Sequence, residues 1–360
     1  MAIFTDIFED VTKQGRKIPT SDYHEIGAHP IIDQGQSAIA GYTDETDGLF
    51  TDVPAIIFGD HTRVLKYVDT PCFLGADGVK LLKAKIANSN YKYLYYVLSN
   101  ANIPNTGYNR HFKWLKEVDI PLPNADEQQK IVDTLDKVSE LIALRKEQLT
   151  KLDQLIKSRF IEMFGDGSYP QIPLIQLIVE GAGLSYGIVV PGDNVEDGVP
   201  MVRPSDFNNG ELCLDNVYRV APEIEAKYTR TRLIGNEILV QVIGQPGQVM
   251  LSDSRCKGMN VTRNLAVVRP DCNKINRIYL KTYMQSQEAQ AFMLGETKQS
   301  TLKQLPLTRL KELEIPVPPM ELQEQFAAFV EQIDKSKLAI QQSLDKLELL
   351  KKSLMQEYFG

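Results

Sequence analysis

The residues best suited to chemistry are basic and aromatic side chains concentrated in residues 78–116. This stretch contains no aspartate or glutamate. Its cationic side chains and its histidine are Lys80, Lys83, Lys85, Lys92, Arg110, His111, Lys113 and Lys116. Interleaved aromatic residues include several tyrosines, Phe112 and Trp114. Lysine and arginine neutralise phosphates, and Asn, Tyr and Arg on loops reach base edges, so this composition indicates a surface for nucleic acid. We expect at least half of the tyrosines to be packing residues.

A second basic stretch covers residues 226–281. Its cationic residues are Lys227, Arg230, Arg232, Arg255, Lys257, Arg263, Arg269, Lys274, Arg277 and Lys281. Only Glu237, Asp253 and Asp271 oppose them within the stretch. The net charge of −7 argues mildly against a nucleic-acid partner. A basic face can nevertheless coexist with a negative total, so the distribution of charge carries more weight.

Patterns that would indicate catalysis or metal binding are absent from the sequence. The four cysteines have no Cys-x-x-Cys spacing, and the four histidines form no metal or Ser/His/Asp pattern with nearby residues. The glycines of residues 181–187 only resemble a dinucleotide fingerprint, because the third glycine is one residue too late and no strong strand precedes it. We therefore predict no catalytic residue, no metal site and no cofactor in this chain.

The elements that position these residues are organised by an internal repeat. Residues 115–165 recur without a gap at 310–360, an offset of 195 residues. The clearest marks are Ile-Pro-x-Pro at 120–123 and 315–318, and Phe-Gly at 164–165 and 359–360. An ungapped match of about fifty positions is hard to obtain by chance. We therefore infer that the chain is built from two copies of one structural unit.

Each Pro motif is followed by a pattern typical of a long helix. Asn124 is a candidate N-cap, with Glu127 three residues later. Apolar residues then recur at heptad-like spacing in both copies, for example at Leu135 and Val330, which is the signature of a coiled coil about 60 Å long. The two helices are predicted to pair with each other. The alternative is that each packs only on its own domain.

The sequence therefore predicts two globular domains and two helices. We place the first domain at 1–119, the first helix at 120–165, the second domain at 166–314 and the second helix at 315–360. Both domains show the order strand, Gly-rich loop, strand, helix, Pro motif. The strands expected in this order are 55–58, 78–82, 237–242 and 265–268, and the helices are 92–99 and 278–286. The predicted fold class is mixed α/β (α+β), with a long antiparallel two-helix coiled coil and a pseudo-two-fold arrangement.

This organisation resembles the specificity subunit of type I restriction–modification enzymes, over essentially the whole chain. The two Ile-Pro-x-Pro motifs, each opening a helix that ends in Phe-Gly, are the most specific marks. Residues 55–63 followed by 74–79 are similar to one common class of target-recognition domain. Residues 186–189 with 199–203 look like another class.

The resemblance implies a non-catalytic subunit that binds double-stranded DNA. Each domain would read a few base pairs of a bipartite, asymmetric target whose spacer is set by helix length. Two methyltransferase subunits would dock on the helices and methylate adenines with S-adenosylmethionine. Restriction subunits would add cleavage driven by ATP and Mg²⁺. The cofactors would thus be bound by the partners.

Individual contact residues are assigned as hypotheses. For DNA we select side chains in loops and basic stretches of both domains: His61, Thr62, Arg63, Lys80, Tyr108, Arg110, Arg203, Lys257, Asn260 and Arg263. Four cations interrupt the apolar seams of the helices and would set their register or face a partner protein: Arg145, Arg159, Lys337 and Lys351. The sequence does not specify the DNA target, because base readout also depends on loop geometry and DNA deformation.

Two other functions are compatible with these observations. The chain could be an orphan or regulatory DNA-binding protein, or a protein–protein scaffold that binds no DNA. In all three cases we expect a cytoplasmic protein with reduced thiols and no membrane contact, since no apolar run approaches the ~20 residues of a membrane span.

Overall fold

The computed structural model describes residues 1–75, 78–107, 109–165, 168–208, 211–295 and 304–360. The chain forms two compact units. Unit 1 comprises residues 1–147 and 340–360, and unit 2 comprises residues 148–339. Each unit therefore combines a globular segment with parts of both long helices.

Unit 1 is built from short strands around a few helices. Its strands are β1 (Ala2–Ile3), β2 (Phe8–Asp10), β3 (His29–Ile32), β4 (Gly41–Thr43), β5 (Ala55–Gly59), β6 (Leu65–Val68), β7 (Phe73–Leu74), β8 (Val79–Ala84) and β9 (Asp119–Ile120). Its helices are α1 (Phe4–Ile7), α2 (Tyr91–Asn100), α3 (Phe112–Leu115) and the first part of α4 (Ala125–Phe164). Single 3-10 turns lie at Thr12–Gln14 and Thr20–Asp22.

Unit 2 uses the same kinds of element. Its strands are β10 (Gln171–Pro173), β11 (Ser185–Tyr186), β12 (Val199–Val202), β13 (Phe207–Asn208), β14 (Glu211–Leu212), β15 (Tyr218–Val220), β16 (Ile238–Gln241), β17 (Val249–Leu251), β18 (Asn260–Val261), β19 (Leu265–Val268) and β20 (Glu314–Pro316). Its helices are α5 (Pro222–Glu225), α6 (Arg277–Met284), α7 (Gln287–Leu294), α8 (Leu307–Lys311) and the first part of α9 (Met320–Phe359). The 3-10 turns are Leu174–Gln176, Pro204–Asp206, Ala226–Thr231 and Ser254–Cys256.

The two units share one strand topology. In unit 1 the larger sheet has the order β2-β8-β5-β6, and the smaller sheet has the order β4-β3-β7 with β3 and β7 parallel. In unit 2 the corresponding orders are β11-β19-β16-β17 and β15-β12-β18, again with one parallel pair, β12 and β18. The predicted strands and helices are confirmed, with bounds that shift by one or two residues.

Register places individual positions of the two units in correspondence. Phe58 pairs with Lys80 and Leu65, and Val240 pairs with Ala266 and Val249. Phe58 and Val240 are therefore equivalent. The backbone hydrogen bonds two residues further along are equivalent too. Asp60 N donates to Gly78 O at 2.7 Å in unit 1, and Val242 N donates to Asn264 O at 2.8 Å in unit 2. The equivalence thus extends into the loops after these strands.

The Ile-Pro-x-Pro motifs have a structural role in each unit. In unit 1 the motif continues β9, which pairs with β1, and the Tyr93 hydroxyl donates to Pro121 O at 2.9 Å. In unit 2 β20 pairs with β10, and the Tyr279 hydroxyl donates to Pro316 O at 2.7 Å. The motif therefore ties the helix of each globular segment to the start of the following long helix.

The long helices begin just after these motifs. Asn124 caps α4 as predicted, since its Oδ1 accepts from Glu127 N at 3.0 Å. The early part of each helix packs in the core of its own globular segment, through Val132 and Leu135 in unit 1 and Phe326 and Val330 in unit 2. The alternative, in which each long helix packs on its own domain, is therefore correct for the early part of each helix.

The two helices also pair with each other, antiparallel, as predicted. In unit 2, Lys337 Nζ lies 2.7 Å from Asp153 Oδ1, and the Phe160 ring lies 5.4 Å from that of Phe326. In unit 1, Lys146 Nζ lies 2.8 Å from Glu348 Oε1. The end of α9 packs on the core of unit 1, and the end of α4 packs on the core of unit 2. Within the described residues, no helix combines the length and apolarity that crossing a membrane requires.

Candidate nucleic-acid interface

The loop 60–63 of unit 1 is a tight turn that joins β5 to β6. Gly59 N donates to Val64 O at 2.8 Å and closes the turn. The Thr62 hydroxyl donates to Gln34 O at 2.6 Å, and His61 N donates to Gln34 Oε1 at 3.3 Å. The backbone at Arg63 has φ of +61°, a left-handed conformation uncommon outside glycine. The hydrogen bonds with Gln34 therefore fix the conformation of the loop.

The structure brings Arg110 beside this loop. Asp60 is buried; its carbonyl oxygen accepts from His111 N at 2.8 Å, and its carboxylate accepts from Phe112 N at 2.8 Å. Arg63 Nη1 donates to Ile103 O at 3.2 Å, so part of its guanidinium is already used. His61, Thr62, Arg63 and Arg110 thus lie on adjoining segments. Tyr108, also predicted to contact DNA, lies outside the described residues.

Several lysines of residues 78–116 are paired with carboxylates from elsewhere in the chain. Lys80 lies 2.9 Å from Asp10 Oδ2, Lys83 lies 2.9 Å from Asp52 Oδ1, and Lys92 is bonded to Asp136. Although residues 78–116 contain no acidic residue, carboxylates from elsewhere in the chain neutralise part of their positive charge. Burial raises the pKa of Asp10, but hydrogen bonds from Thr12 and Lys80 outweigh it, so this pKa lies below its usual value. Lys80 is a poor candidate for DNA contact.

Four cations of the same stretch are exposed: Lys85, whose Nζ donates to Thr5 O at 2.6 Å, and three in residues 110–116, which are Arg110, Lys113 and Lys116. Lys113 Nζ lies 4.1 Å from the Trp114 ring centroid, and Lys116 Nζ lies 4.9 Å from that of Phe112. No ion pair joins these three to any described residue. Tyr93 and Tyr96 are buried, and Tyr91 and Tyr95 pack against the same core, which agrees with the prediction that at least half of the tyrosines are packing residues. Arg110, Lys113 and Lys116 lie on the segment that bonds to Asp60 of loop 60–63, so they are candidate phosphate ligands in unit 1.

Two of the residues selected in unit 2 have structural roles. Arg203 Nη2 donates to Asp206 Oδ1 at 2.7 Å and to Asn216 O at 3.1 Å, and only part of its side chain is exposed. Asn260 is fully buried. Its amide binds Glu225 Oε1 and Tyr228 O, both at 3.0 Å, and accepts from the Thr231 hydroxyl at 2.7 Å.

Asn260 therefore has no exposed atom with which to contact DNA in this structure, and we remove it from the candidate interface. Register explains its position. Asn260 is opposite Met201 in the parallel pair, as Phe73 is opposite Ile31 in unit 1, so it occupies a core position. Because the sequence gives no hint of this parallel pairing, Asn260 looked like a loop residue.

Lys257 and Arg263 fit the prediction better. Both are exposed, and no ion pair joins either side chain to a described residue. Arg263 lies in the short turn between β18 and β19, and its backbone N–H donates to Ile188 O at 2.9 Å. Four other cations of residues 226–281 are neutralised: Arg232 by Glu225, Arg255 by Asp253, Arg269 by Glu237 and Lys274 by Asp271. Lys227 and Arg230 are exposed, and no ion pair joins either to a described residue.

The loop in unit 2 that is equivalent to loop 60–63 was not among the selected residues. It is the hairpin loop 241–248, which is closed by Gln241 N donating to Gln248 O at 2.8 Å. Gly244 and Gly247 have φ of +91° and +92°, so glycine suits both positions. A signal existed in the sequence, because this Gly-rich loop follows a buried strand in both domains.

The cations that interrupt the helix seams lie at contacts within the chain. Arg159 lies 2.8 Å from Glu162 Oε2 and 5.9 Å from the Phe329 ring centroid, and Lys337 pairs with Asp153. Lys351 Nζ lies 5.9 Å from the Tyr96 ring centroid, and burial lowers its pKa. The contacts of these three lie within the chain, and their role in setting register stays a prediction. Arg145 is half-buried, and contact of all four with a partner protein stays a prediction.

Within the described residues, no group of three or more His, Cys, Asp or Glu side chains is arranged to hold a metal ion. What the two units offer is instead a set of rigid loops with exposed cations and amides. Exposed cations and amides on loops can bind phosphates and base edges.

Comparison with known proteins identifies relatives along most of the chain. The model of a family described as the type I restriction modification DNA specificity domain matches residues 4–154 and 192–350. The specificity subunit of the Escherichia coli type I restriction enzyme EcoBI is 25% identical over 279 residues, which cover 68% of this chain and 58% of the relative. The E. coli EcoR124I/EcoR124II specificity subunit is 24% identical over 371 residues, covering 95% and 88%.

The fold is also found among solved structures. The S subunit of a type I restriction-modification system from M. genitalium has a TM-score of 0.61 at 17% identity, covering 100% of this chain and 95% of that one. At this identity the likeness concerns the fold alone. The match to the family model, however, extends over more than half of the sequence and includes both globular segments. The chain therefore belongs to the type I restriction–modification DNA specificity family.

Proposed function

We propose that the chain recognises a bipartite, asymmetric DNA target as the specificity subunit of a type I restriction–modification system. The observation that carries the proposal is the repetition of one strand topology in two units, each within a match to the DNA specificity family. The two units differ in the residues of equivalent loops, so each reads a different half-site. Family membership and the exposed loop cations support this function over a scaffold without DNA binding.

The chemistry then belongs to other subunits. Methyltransferase subunits modify adenines with S-adenosylmethionine, and restriction subunits use ATP and Mg²⁺. This chain supplies rigid loops for the DNA and helix surfaces for the methyltransferase. It contributes no catalytic residue.

The decisive experiment is co-expression with the methyltransferase subunit of the same system, in a host that lacks this modification. Mapping modified adenines by long-read sequencing should give one sequence with two short half-sites and a gap. Exchanging residues 166–314 for the same segment of a relative should change one half-site and leave the other. If the complex assembles but the host DNA gains no modified sites, the proposal is wrong.

Alanine variants of Lys257 and Arg263 should have different effects on DNA binding. Lys257→Ala should weaken binding to all sequences alike and reduce the slope of log K against log [salt] by about 1, because one phosphate contact is lost. Arg263→Ala should cost about 1–3 kcal/mol on the cognate site and relax specificity at one position, because its turn adjoins the hairpin loop. Binding is measured by fluorescence anisotropy of the methyltransferase complex at several salt concentrations.

The matched control is Lys274→Ala, which removes a cation that is paired with Asp271 and bonded to Gln176 O. Its affinity and salt slope should equal those of the unmodified complex. Wild-type affinity and target specificity in both Lys257→Ala and Arg263→Ala would exclude these residues from the interface.

Exposed leucines on the long helices should bind the methyltransferase. Leu155 and Leu350 are equivalent in the repeat and are 45% and 46% exposed, and Leu349 is 68% exposed. Glutamate at Leu155 or Leu350 should weaken complex formation at least 10-fold, because a charge would be buried in an apolar contact. Isothermal titration with the purified methyltransferase measures the change.

Ile86→Glu is the control for this pair, because Ile86 is 51% exposed but lies in the loop before α2. It should leave the dissociation constant unchanged. If Leu155→Glu and Leu350→Glu bind as well as Ile86→Glu does, the docking surface lies elsewhere.

A further inference from the structure

A cleft of about 870 Å³ lies along the hairpin loop 241–248 of unit 2. No charged side chain is found among the described residues that line it. Its polar lining consists largely of glutamines: Gln241, Gln245, Gln248, Gln285 and Gln290. Amide side chains carry a donor and an acceptor at fixed spacing, so such a cleft is suited to hydrogen-bonding patterns rather than to charge.

Three of these glutamines stabilise the hairpin through hydrogen bonds to backbone carbonyl groups. Gln290 Nε2 donates to Gly247 O at 2.8 Å and to Met284 O at 2.7 Å. Gln285 Nε2 donates to Val249 O at 3.3 Å, and Gln241 Nε2 donates to Ile243 O at 2.9 Å. These amides fix the conformation of the loop, and their N–H groups are already engaged in hydrogen bonds within the protein.

The other two glutamines form an exposed pair at the tip. Gln248 Nε2 donates to Gln245 Oε1 at 2.8 Å, and both side chains are exposed. The pair leaves the amide N–H₂ of Gln245 and the amide oxygen of Gln248 without a described protein partner. If both amides were turned over, the pair would again leave one donor group and one acceptor. The tip therefore presents a preorganised donor and acceptor in either orientation.

The position of this tip favours duplex DNA as its ligand. The loop 241–248 is the register equivalent of loop 60–63 in unit 1, and it connects β16 to β17, the edge strand of the four-stranded sheet. Proteins read sequence by hydrogen bonds to base edges, and the major groove of B-DNA presents a distinct pattern for each base pair. There adenine presents an acceptor, N7, beside a donor, N6–H₂, which glutamine matches with two hydrogen bonds. Guanine presents two acceptors and is matched by arginine or lysine, which the described lining of the cleft lacks.

We propose that the Gln245–Gln248 pair reads an adenine in the half-site bound by unit 2. This inference rests on the proposed function and adds a base and two specificity-determining residues to it. Gln241, Gln285 and Gln290 act as positioning residues, since their amide N–H groups donate to the backbone of the hairpin and its strand, and Gln290 also donates to Met284 O in α6.

The experiment uses the complete methyltransferase complex and duplexes in which each base pair of the unit 2 half-site is replaced in turn. The unmodified complex should disfavour G·C at one A·T position by about 10-fold or more. A Gln245→Leu, Gln248→Leu variant should lose this discrimination at that position only, and keep it in the other half-site. Gln248→Glu, which retains the shape of the side chain, should shift preference at that position toward cytosine, because a carboxylate accepts from its N4–H₂.

Gln176→Leu is the matched control, because Gln176 is exposed in the turn Leu174–Gln176 and is not among the described residues that line the cleft. Its base preferences should equal those of the unmodified complex. If the unmodified complex discriminates normally and all hairpin variants keep the same preference, the inference is wrong while the proposed function stands. If the unmodified complex shows no preference for any sequence, the proposed function itself fails. A circular dichroism melt identifies a variant that does not fold, in which case Gln248→Glu alone decides the outcome.

Discussion

Phe164→Ala should lower the free energy of unfolding of unit 2 by about 3–5 kcal/mol, the usual cost of removing a buried phenylalanine. Phe164 is only 5% exposed at the end of α4. Its ring centroid lies 4.8 Å from that of Tyr279, 5.1 Å from Phe160 and 5.6 Å from Phe326. One side chain thus joins the end of the first long helix to α6 and to the start of the second.

Urea unfolding followed by circular dichroism measures this change, and hydrogen exchange locates it. Peptides from β16 and α6 should exchange faster in the variant, because both elements belong to the core that Phe164 completes. Phe292→Ala is the control, since Phe292 is 40% exposed, and it should cost about 1 kcal/mol or less. A loss as small as that of the control would mean that the end of α4 contributes little to unit 2.

The long helices could be predicted because their signal is local and repeated. Forty residues of helical periodicity, a capping residue at Asn124 and a second copy 195 residues later all indicate the same structure. Pairing of the helices follows from seams of equal length. Antiparallel pairing also implies that each helix ends beside the other domain. The sequence did not indicate which residues of these ends pack against that domain's core, as Tyr358 and Phe359 do in unit 1.

The candidate DNA surface was harder to predict, because charge neutralisation depends on contacts far apart in sequence. Lys80 meets Asp10 only when β8 pairs with β2, and Arg269 meets Glu237 only when β19 pairs with β16. Counting charges in a window therefore overestimates a basic face. Lys257 and Arg263 stay candidates because both are exposed and no ion pair joins either side chain to a described carboxylate.

The same reasoning explains why the glutamine hairpin was overlooked. Residues 244–247 read as an ordinary turn, with Gly and Pro at the positions expected of a loop. Their correspondence with loop 60–63 requires the register of β16 with both β17 and β19. A search of the sequence for basic residues also passes over glutamine, although glutamine can read a base without any charge.

Glu237→Gln should destabilise unit 2 by about 3–5 kcal/mol, because it disrupts a buried ionic network. Glu237 has no exposed surface. Its carboxylate accepts from Ile234 N at 2.7 Å, Gly235 N at 2.9 Å and the Ser252 hydroxyl at 2.7 Å, and Arg269 Nε lies 3.4 Å away. A glutamine would place its N–H₂ against some of these donors and leave them without an acceptor. The equivalent position in unit 1 is Ala55, so only unit 2 depends on such a group.

The pH dependence of stability provides a second measurement of the same network. Burial raises the pKa of Glu237, but hydrogen bonds from Ile234 N, Ser252 and Gly235 N outweigh it, so the pKa in the folded protein lies below the usual value. A carboxyl group with a lowered pKa stabilises the fold above its unfolded value, about 4.3, and this contribution is lost as the pH falls toward the folded pKa. Between pH 7 and pH 3 the free energy of unfolding should therefore fall less steeply in Glu237→Gln than in the unmodified chain. Glu180→Gln, a change at an exposed glutamate of the same unit, should leave the curve unchanged. Equal slopes in Glu237→Gln and the unmodified chain would show that the carboxylate does not hold the turn 234–236 as an anion.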